Sequence, residues 1–214
     1  MNLDKKLVTY SNNNSYTTLN ALSSTTKNIW VVFHGIGYLS RYFLKYFKAL
    51  NSNENYIIAP QAPSKYYLNG AYKHVGASWL TREDTPQELT NVLNYIDAVF
   101  NAEEIPADKN LILFGFSQGV SIVTRYLSSR KINFDKLILY AGTIPVELTA
   151  KDFKFINYNT STVHIMYGEE DIYLTPKKLK IEKNKIDILF CGKSKILTFK
   201  GGHEVKTEML KQFE

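Results

Sequence analysis

Short, mostly apolar runs recur along this chain, separated by stretches long enough for amphipathic helices. The runs are Ile29 to Phe33, Tyr56 to Ala59, Leu111 to Phe114, Leu137 to Tyr140, Val163 to Tyr167 and Ile196 to Phe199. Apolar runs without polar alternation are the pattern of strands covered on both faces. Two further strands are expected ahead of them, Leu7 to Tyr10 and Tyr16 to Leu19, with the polar stretch Ser11-Asn12-Asn13-Asn14-Ser15 read as a turn. The clearest helix begins at Thr85-Pro86-Gln87-Glu88, which has the form of a capping box with proline at the first helical position. Leu89, Val92, Leu93, Ile96, Val99 and Phe100 follow on one helical face. The segment from Ser40 to Leu50 shows the same period through Phe43, Leu44, Phe47 and Leu50. Strands that alternate with helices imply right-handed crossovers, hence an α/β fold with a mostly parallel sheet and helices on both faces. No internal repeat is present, and 214 residues suit one domain spanning 1–214.

Composition changes this picture little. Hydrophobic residues make up 44% and charged residues 21%, as in soluble globular chains. No segment approaches the ~20 apolar residues of a membrane span, and MNLDKKLVTYSNNNSY lacks the apolar stretch of a signal peptide, so a cytoplasmic location without membrane insertion is expected. The lone Cys191 excludes an internal disulfide and reads as a buried packing residue rather than a catalytic thiol. A formal charge of +6 could indicate a nucleic-acid partner, but no basic stripe with stacking aromatics accompanies it. The densest cluster, Lys177, Lys178, Lys180, Lys183 and Lys185, reads as a solvated helix face, with an anionic substrate tail or lipid head group as the alternative.

Sites on parallel sheets form at the carboxyl ends of the strands. There stands Gly115-Phe116-Ser117-Gln118-Gly119, behind one apolar run and ahead of the helical pattern Val120 to Leu127. Chance places such a pentapeptide in a chain of this length with a probability of about 0.07. Its position between strand and helix makes it a candidate nucleophile elbow, in which small residues permit a tight turn that lifts the serine out of the sheet. A serine needs a base, and the base an orienting acid. Both follow in the order such a fold requires: Gly168-Glu169-Glu170-Asp171 after one strand, with Asp171 favoured among its carboxylates, and Gly201-Gly202-His203 after the next. His34-Gly35-Ile36-Gly37, after the first long strand, is a turn whose backbone N–H groups could form an oxyanion hole with that of Gln118.

These stretches resemble the α/β-hydrolase superfamily, and within it the small carboxylesterase, phospholipase and acyl-protein thioesterase group. "HGIG", "IIAPQAP", "ASWL", "GFSQG", "YGEED" and "GGHE" fall in that group's order from about residue 28 to 205. The resemblance implies Ser117, Asp171 and His203 as a triad, Ile36 and Gln118 as oxyanion donors, and Trp79 bordering the acyl pocket. The chain departs from the group at Tyr38, Val120 and Pro176.

The implied activity is hydrolysis of small-molecule carboxylic esters or thioesters through an acyl-enzyme, with no cofactor and no metal; the oligomeric state is open, a homodimer included. A serine peptidase and a non-catalytic binding protein are the competing readings on the same fold. Only about twenty residues separate Tyr140 from Val163, too few for a helical cap domain. An open pocket favouring short acyl chains is therefore expected, with the long irregular stretch Gln61 to Glu83, rich in aromatics, forming a wall.

Overall fold

The computed structural model describes residues 3–214. Its nine strands are β1 (Tyr16–Leu19), β2 (Asn28–Phe33), β3 (Asn55–Pro60), β4 (Ser64–Tyr67), β5 (Val75–Ser78), β6 (Asn110–Phe116), β7 (Lys136–Tyr140), β8 (Thr162–Gly168) and β9 (Ser194–Phe199). The α-helices are α1 (Ser40–Phe43), α2 (Thr85–Glu103), α3 (Gln118–Arg130), α4 (Pro176–Leu189) and α5 (Thr207–Leu210). Seven strands form one sheet in the order β1-β3-β2-β6-β7-β8-β9, parallel throughout except where β1 runs antiparallel to β3. Every apolar run from Ile29 onward is a strand of this sheet.

The reason for the apolar runs of the inner strands is visible in how β2 divides its side chains; the edge strand β9 is by contrast largely exposed. Ile29, Val31 and Phe33 enter one core layer with α2 and α3, whereas Trp30 and Val32 enter the other with Phe43, Phe47 and Leu210. A strand sandwiched in this way cannot afford polar alternation. Between β7 and β8 the chain makes only one 3₁₀ turn, Ala150–Phe153, so no helical cap covers the carboxyl ends from that connection.

Several local expectations are corrected. Leu7 to Tyr10 is not a strand, and its side chains are exposed; Leu7 and Val8 are adjacent, and one strand cannot turn both to the same covered face. The capping box at Thr85 does not form. The helix has already begun there, the Thr85 hydroxyl donates to Thr81 O at 2.9 Å, and the Glu88 N–H is taken by Asp84 O at 3.0 Å. Ser40 to Leu50 is one turn of α-helix followed by a 3₁₀ turn, Leu44–Phe47, although its apolar positions are buried as the period requires. Gln61 to Glu83 is not irregular: β4 and β5 pair in it as an antiparallel ribbon. The sequence concealed it because Ser64–Tyr67 is exposed on both faces, leaving no apolar alternation to read. Cys191 is exposed, at a left-handed position in the turn before β9, rather than packed.

Candidate active site

The elbow is the junction of β6 and α3. Ser117 stands between them at φ 53° and ψ −115°, a conformation that costs a non-glycine residue about 1–3 kcal/mol. Two close approaches hold it. A Cβ on Gly115 would lie 2.6 Å from Gly119 O, and one on Gly119 would collide with the carbonyl of Phe33. Only glycine at both positions lets α3 start so near β2 and β6.

His203 and Asp171 reach this serine from the ends of β9 and β8. His203 Nδ1 lies 2.7 Å from Asp171 Oδ2, and His203 Nε2 lies 2.9 Å from Ser117 Oγ. An ionised carboxylate only accepts, so Nδ1 carries the proton and Nε2 is left to accept from the serine hydroxyl. The Asp171 carboxylate is fully shielded from solvent, and its other oxygen accepts from the Tyr173 N–H at 2.9 Å. The loops that carry acid and base are stitched together: Glu169 N–H donates to Phe199 O and Glu170 N–H to Gly201 O, each at 2.9 Å. The imidazole packs against Phe116, with ring centres 5.1 Å apart, and meets Tyr173 edge-on at 4.8 Å. Glu169 and Glu170 are exposed, and Glu169 accepts from the Thr198 hydroxyl.

The turn after β2 faces the elbow. Its Gly37 N–H donates to Ala77 O at 2.8 Å and its Tyr38 N–H to Gly35 O at 3.3 Å. The Ile36 N–H and the Gln118 N–H have no hydrogen-bond partner among the described residues. The Gln118 side chain does separate work. Its Oε1 accepts from the Trp79 N–H at 2.9 Å and its Nε2 donates to Leu80 O at 2.8 Å, tying the elbow to the end of β5.

Two residues beneath the turn have roles the sequence did not disclose. His34 is fully buried: Nε2 accepts the Ala62 N–H at 3.2 Å, so Nδ1 bears the proton and donates to Gly35 O at 2.8 Å. Burial pushes its pKa down to about 4, which keeps this donor and acceptor pair intact at neutral pH. Trp79 lies beneath the same turn. It has no exposed surface, packs on Phe33 and His34, and donates its indole N–H to His34 O at 2.8 Å. Its side chain packs beneath the turn that follows β2. The only signal in the sequence was the position of His34 directly before Gly35, where a buried histidine can bond the turn it precedes.

The lysine cluster is largely engaged with its own protein. Lys178 Nζ donates to Tyr173 O at 3.2 Å, Lys185 Nζ to Ile144 O, and Lys183 lies over the Tyr167 ring. No group of three or more His, Cys, Asp or Glu side chains among the described residues is placed to hold a metal ion. No helix among them is long and apolar enough to cross a membrane.

A parallel sheet with a strained serine at the end of its central strand, and later strand ends supplying acid and histidine, is the α/β-hydrolase architecture. Residues 14–214 match the model of the phospholipase/carboxylesterase family, and the chain belongs to that family; it is a hydrolase. Solved structures agree in fold. A phospholipase/carboxylesterase from Dyadobacter fermentans superposes with a TM-score of 0.68 at 19% identity, covering 95% of this chain and 97% of its own. Zea mays acyl-protein thioesterase 2 gives 0.66 at 15% identity, with 94% and 96% covered. The Bacillus cereus carboxylesterase gives 0.64 at 13% identity, with 94% and 92% covered. Comparison with curated protein sequences gave no match.

Proposed function

We propose that the protein hydrolyses small carboxylic esters or thioesters through an acyl-enzyme on Ser117. The observation that carries this reading is the continuous hydrogen-bonded chain from Asp171 through His203 to Ser117, at 2.7 and 2.9 Å. His203 Nε2 takes the hydroxyl proton as Ser117 Oγ attacks the acyl carbonyl, and Asp171 stabilises the imidazolium that results. The oxygen that gains charge is met by the N–H groups of Ile36 and Gln118, each worth on the order of 3 kcal/mol in the transition state. His203 then returns the proton to the departing alcohol or thiol. Water, activated by the same imidazole, releases the acid and restores the serine.

The absence of a helical cap in the β7–β8 connection supports short acyl substrates. An open site buries few methylenes, each worth ~0.8 kcal/mol, so a long chain gains little there. The reading is tested by incubating the purified protein with a fluorophosphonate and mapping the adduct. Modification confined to Ser117 is the expected result, and a protein that stays unmodified under conditions that label an unrelated serine esterase would overturn it.

A further inference from the structure

Beside the oxyanion turn lies a cleft of about 300 Å³, walled by Gly37, Tyr38 and Leu39 on one side and by Leu68 and Val75 of the β4–β5 ribbon on the other. Its rim carries Arg41, Lys73 and His74, and no carboxylate lines it. Arg41 lies over the Tyr42 ring at 4.8 Å and makes no salt bridge; Lys73 and His74 have no side-chain hydrogen bond among the described residues. This contrasts with Lys27, Arg125 and Arg130, each of which pairs with a carboxylate. Arg41 and Lys73, beside a concave space and without a carboxylate partner among the described residues, have donor capacity in hand for an anion.

The cleft is also near the chemistry. A Cβ on Gly35 would lie 3.1 Å from the Ser117 Cβ, and Gly37 of the cleft wall is two residues further along the same turn. Two residues span at most about 7 Å, the reach of about five single bonds. The floor between the two sites is firmly placed, because Gly37 donates to Ala77 O and a Cβ on Gly76 would lie 2.5 Å from Gly37 O. A substrate whose carbonyl sits at Ser117 thus has one end directed along a fixed backbone edge into the basic cleft.

The geometry points to an anion-binding subsite: the cleft between α1 and the β4–β5 ribbon takes a carboxylate or phosphate carried about five bonds from the scissile carbonyl, held by Arg41 and Lys73. This rests on the esterase reading of Ser117 and narrows its substrate class to anionic short-chain esters or thioesters. The tyrosines Tyr38 and Tyr42 supply the apolar walls along which the linking methylenes run.

The test compares matched p-nitrophenyl esters: the glutarate hemiester, its neutral methyl ester, and an ester of equal length ending in phosphate. Expected is a kcat/KM for one or both anionic esters about tenfold or more above the neutral one, as two charge-assisted contacts allow. The ratio should fall toward unity in an Arg41→Gln, Lys73→Gln double variant. It should persist in a Lys131→Gln, Lys193→Gln variant of the same net charge, whose changes lie before β7 and β9 at the opposite ends of the strands. A preference for the carboxylate or for the phosphate ester distinguishes the two sources. Equal rates for all three esters, or an anionic preference lost equally in both double variants, would overturn the subsite while leaving the esterase reading standing. Should no ester be turned over, calorimetric titration with glutarate and with inorganic phosphate decides the matter independently: binding lost in the Arg41→Gln, Lys73→Gln protein supports the subsite, and no binding of either anion removes it.

Discussion

His203 Nε2 lies 2.9 Å from Ser117 Oγ although 86 residues separate the two in the chain. Strand order produces this closeness: β6 and β9 are both parallel members of one sheet, and their following loops project from the same edge. Ser117→Ala removes the attacking oxygen and nothing that packs. Ester hydrolysis and phosphonate labelling should both be lost while the thermal midpoint stays close to that of the parent; an alanine variant that still labels would exclude Ser117 as the nucleophile.

Asp171 is distinguished from its acidic neighbours by burial. Asp171→Asn keeps the shape but no longer fixes the proton on Nδ1, and kcat should fall by up to ~10⁴. Glu169→Gln and Glu170→Gln alter exposed groups and should stay within a few-fold of the parent by steady-state kinetics. Were either glutamine variant the slowest of the three, Asp171 would not be the orienting acid.

Trp79→Phe retains most of the buried ring and deletes the N–H that bonds His34 O. The orphaned carbonyl should lower stability by about 1–3 kcal/mol in urea unfolding. Loss of support under the turn should lower kcat about ten- to a hundredfold, with KM for a neutral ester changed far less. An equal effect on both constants would mean that the indole acts on substrate binding and not on the turn.

Acid should unfold the protein by way of its buried histidines. His34 and His164 are held neutral down to about 4, against an ordinary value of 6.5; burial is the main cause for both, and Lys195 and Lys136 add to it at His164. A base whose folded pKa is depressed contributes its full stability above 6.5, and that contribution is lost as the pH falls toward 4. Each histidine accounts for roughly 3 kcal/mol across this window. His164 Nδ1 has no hydrogen-bond partner, so His164→Leu can be tolerated at neutral pH. Thermal midpoints measured from about pH 7 to about pH 4.5 should fall steeply in the parent and less steeply in His164→Leu. Parallel curves would remove His164 from the account.

A series of p-nitrophenyl esters from acetate to palmitate should show its maximum kcat/KM among the short acyl chains, with no rise when the substrate passes into micelles. A maximum at the long end would require an apolar channel that the open carboxyl edge does not supply.

The sheet was legible in the sequence because each central strand is apolar on both faces, which leaves a run that no loop or surface helix imitates. The three side chains that the structure brings together, Ser117, His203 and Asp171, were legible for a related reason: each follows such a run within a few residues. Less visible was whatever depends on backbone pairing alone. In the β4–β5 ribbon β4 is exposed throughout and β5 is the short, small-residue stretch Val75–Ser78, so neither writes a pattern, and the segment Leu7 to Tyr10 has strand-like residues that pair with no strand. The bond from the Trp79 indole to His34 O was likewise not legible, because a tryptophan in an aromatic-rich stretch carries no sequence sign of which carbonyl its N–H will meet.

The exposed Cys191 precedes β9, whereas Ser117 follows β6, and the intervening strands β6, β7, β8 and β9 all run in parallel. The single thiol and Ser117 therefore lie at opposite ends of the sheet. A maleimide support would capture the chain at one defined point, at the end of the strands opposite Ser117. Molecules fixed to a bead or an electrode in this way would all present the Ser117 end of the sheet outward, without a tag or an engineered residue.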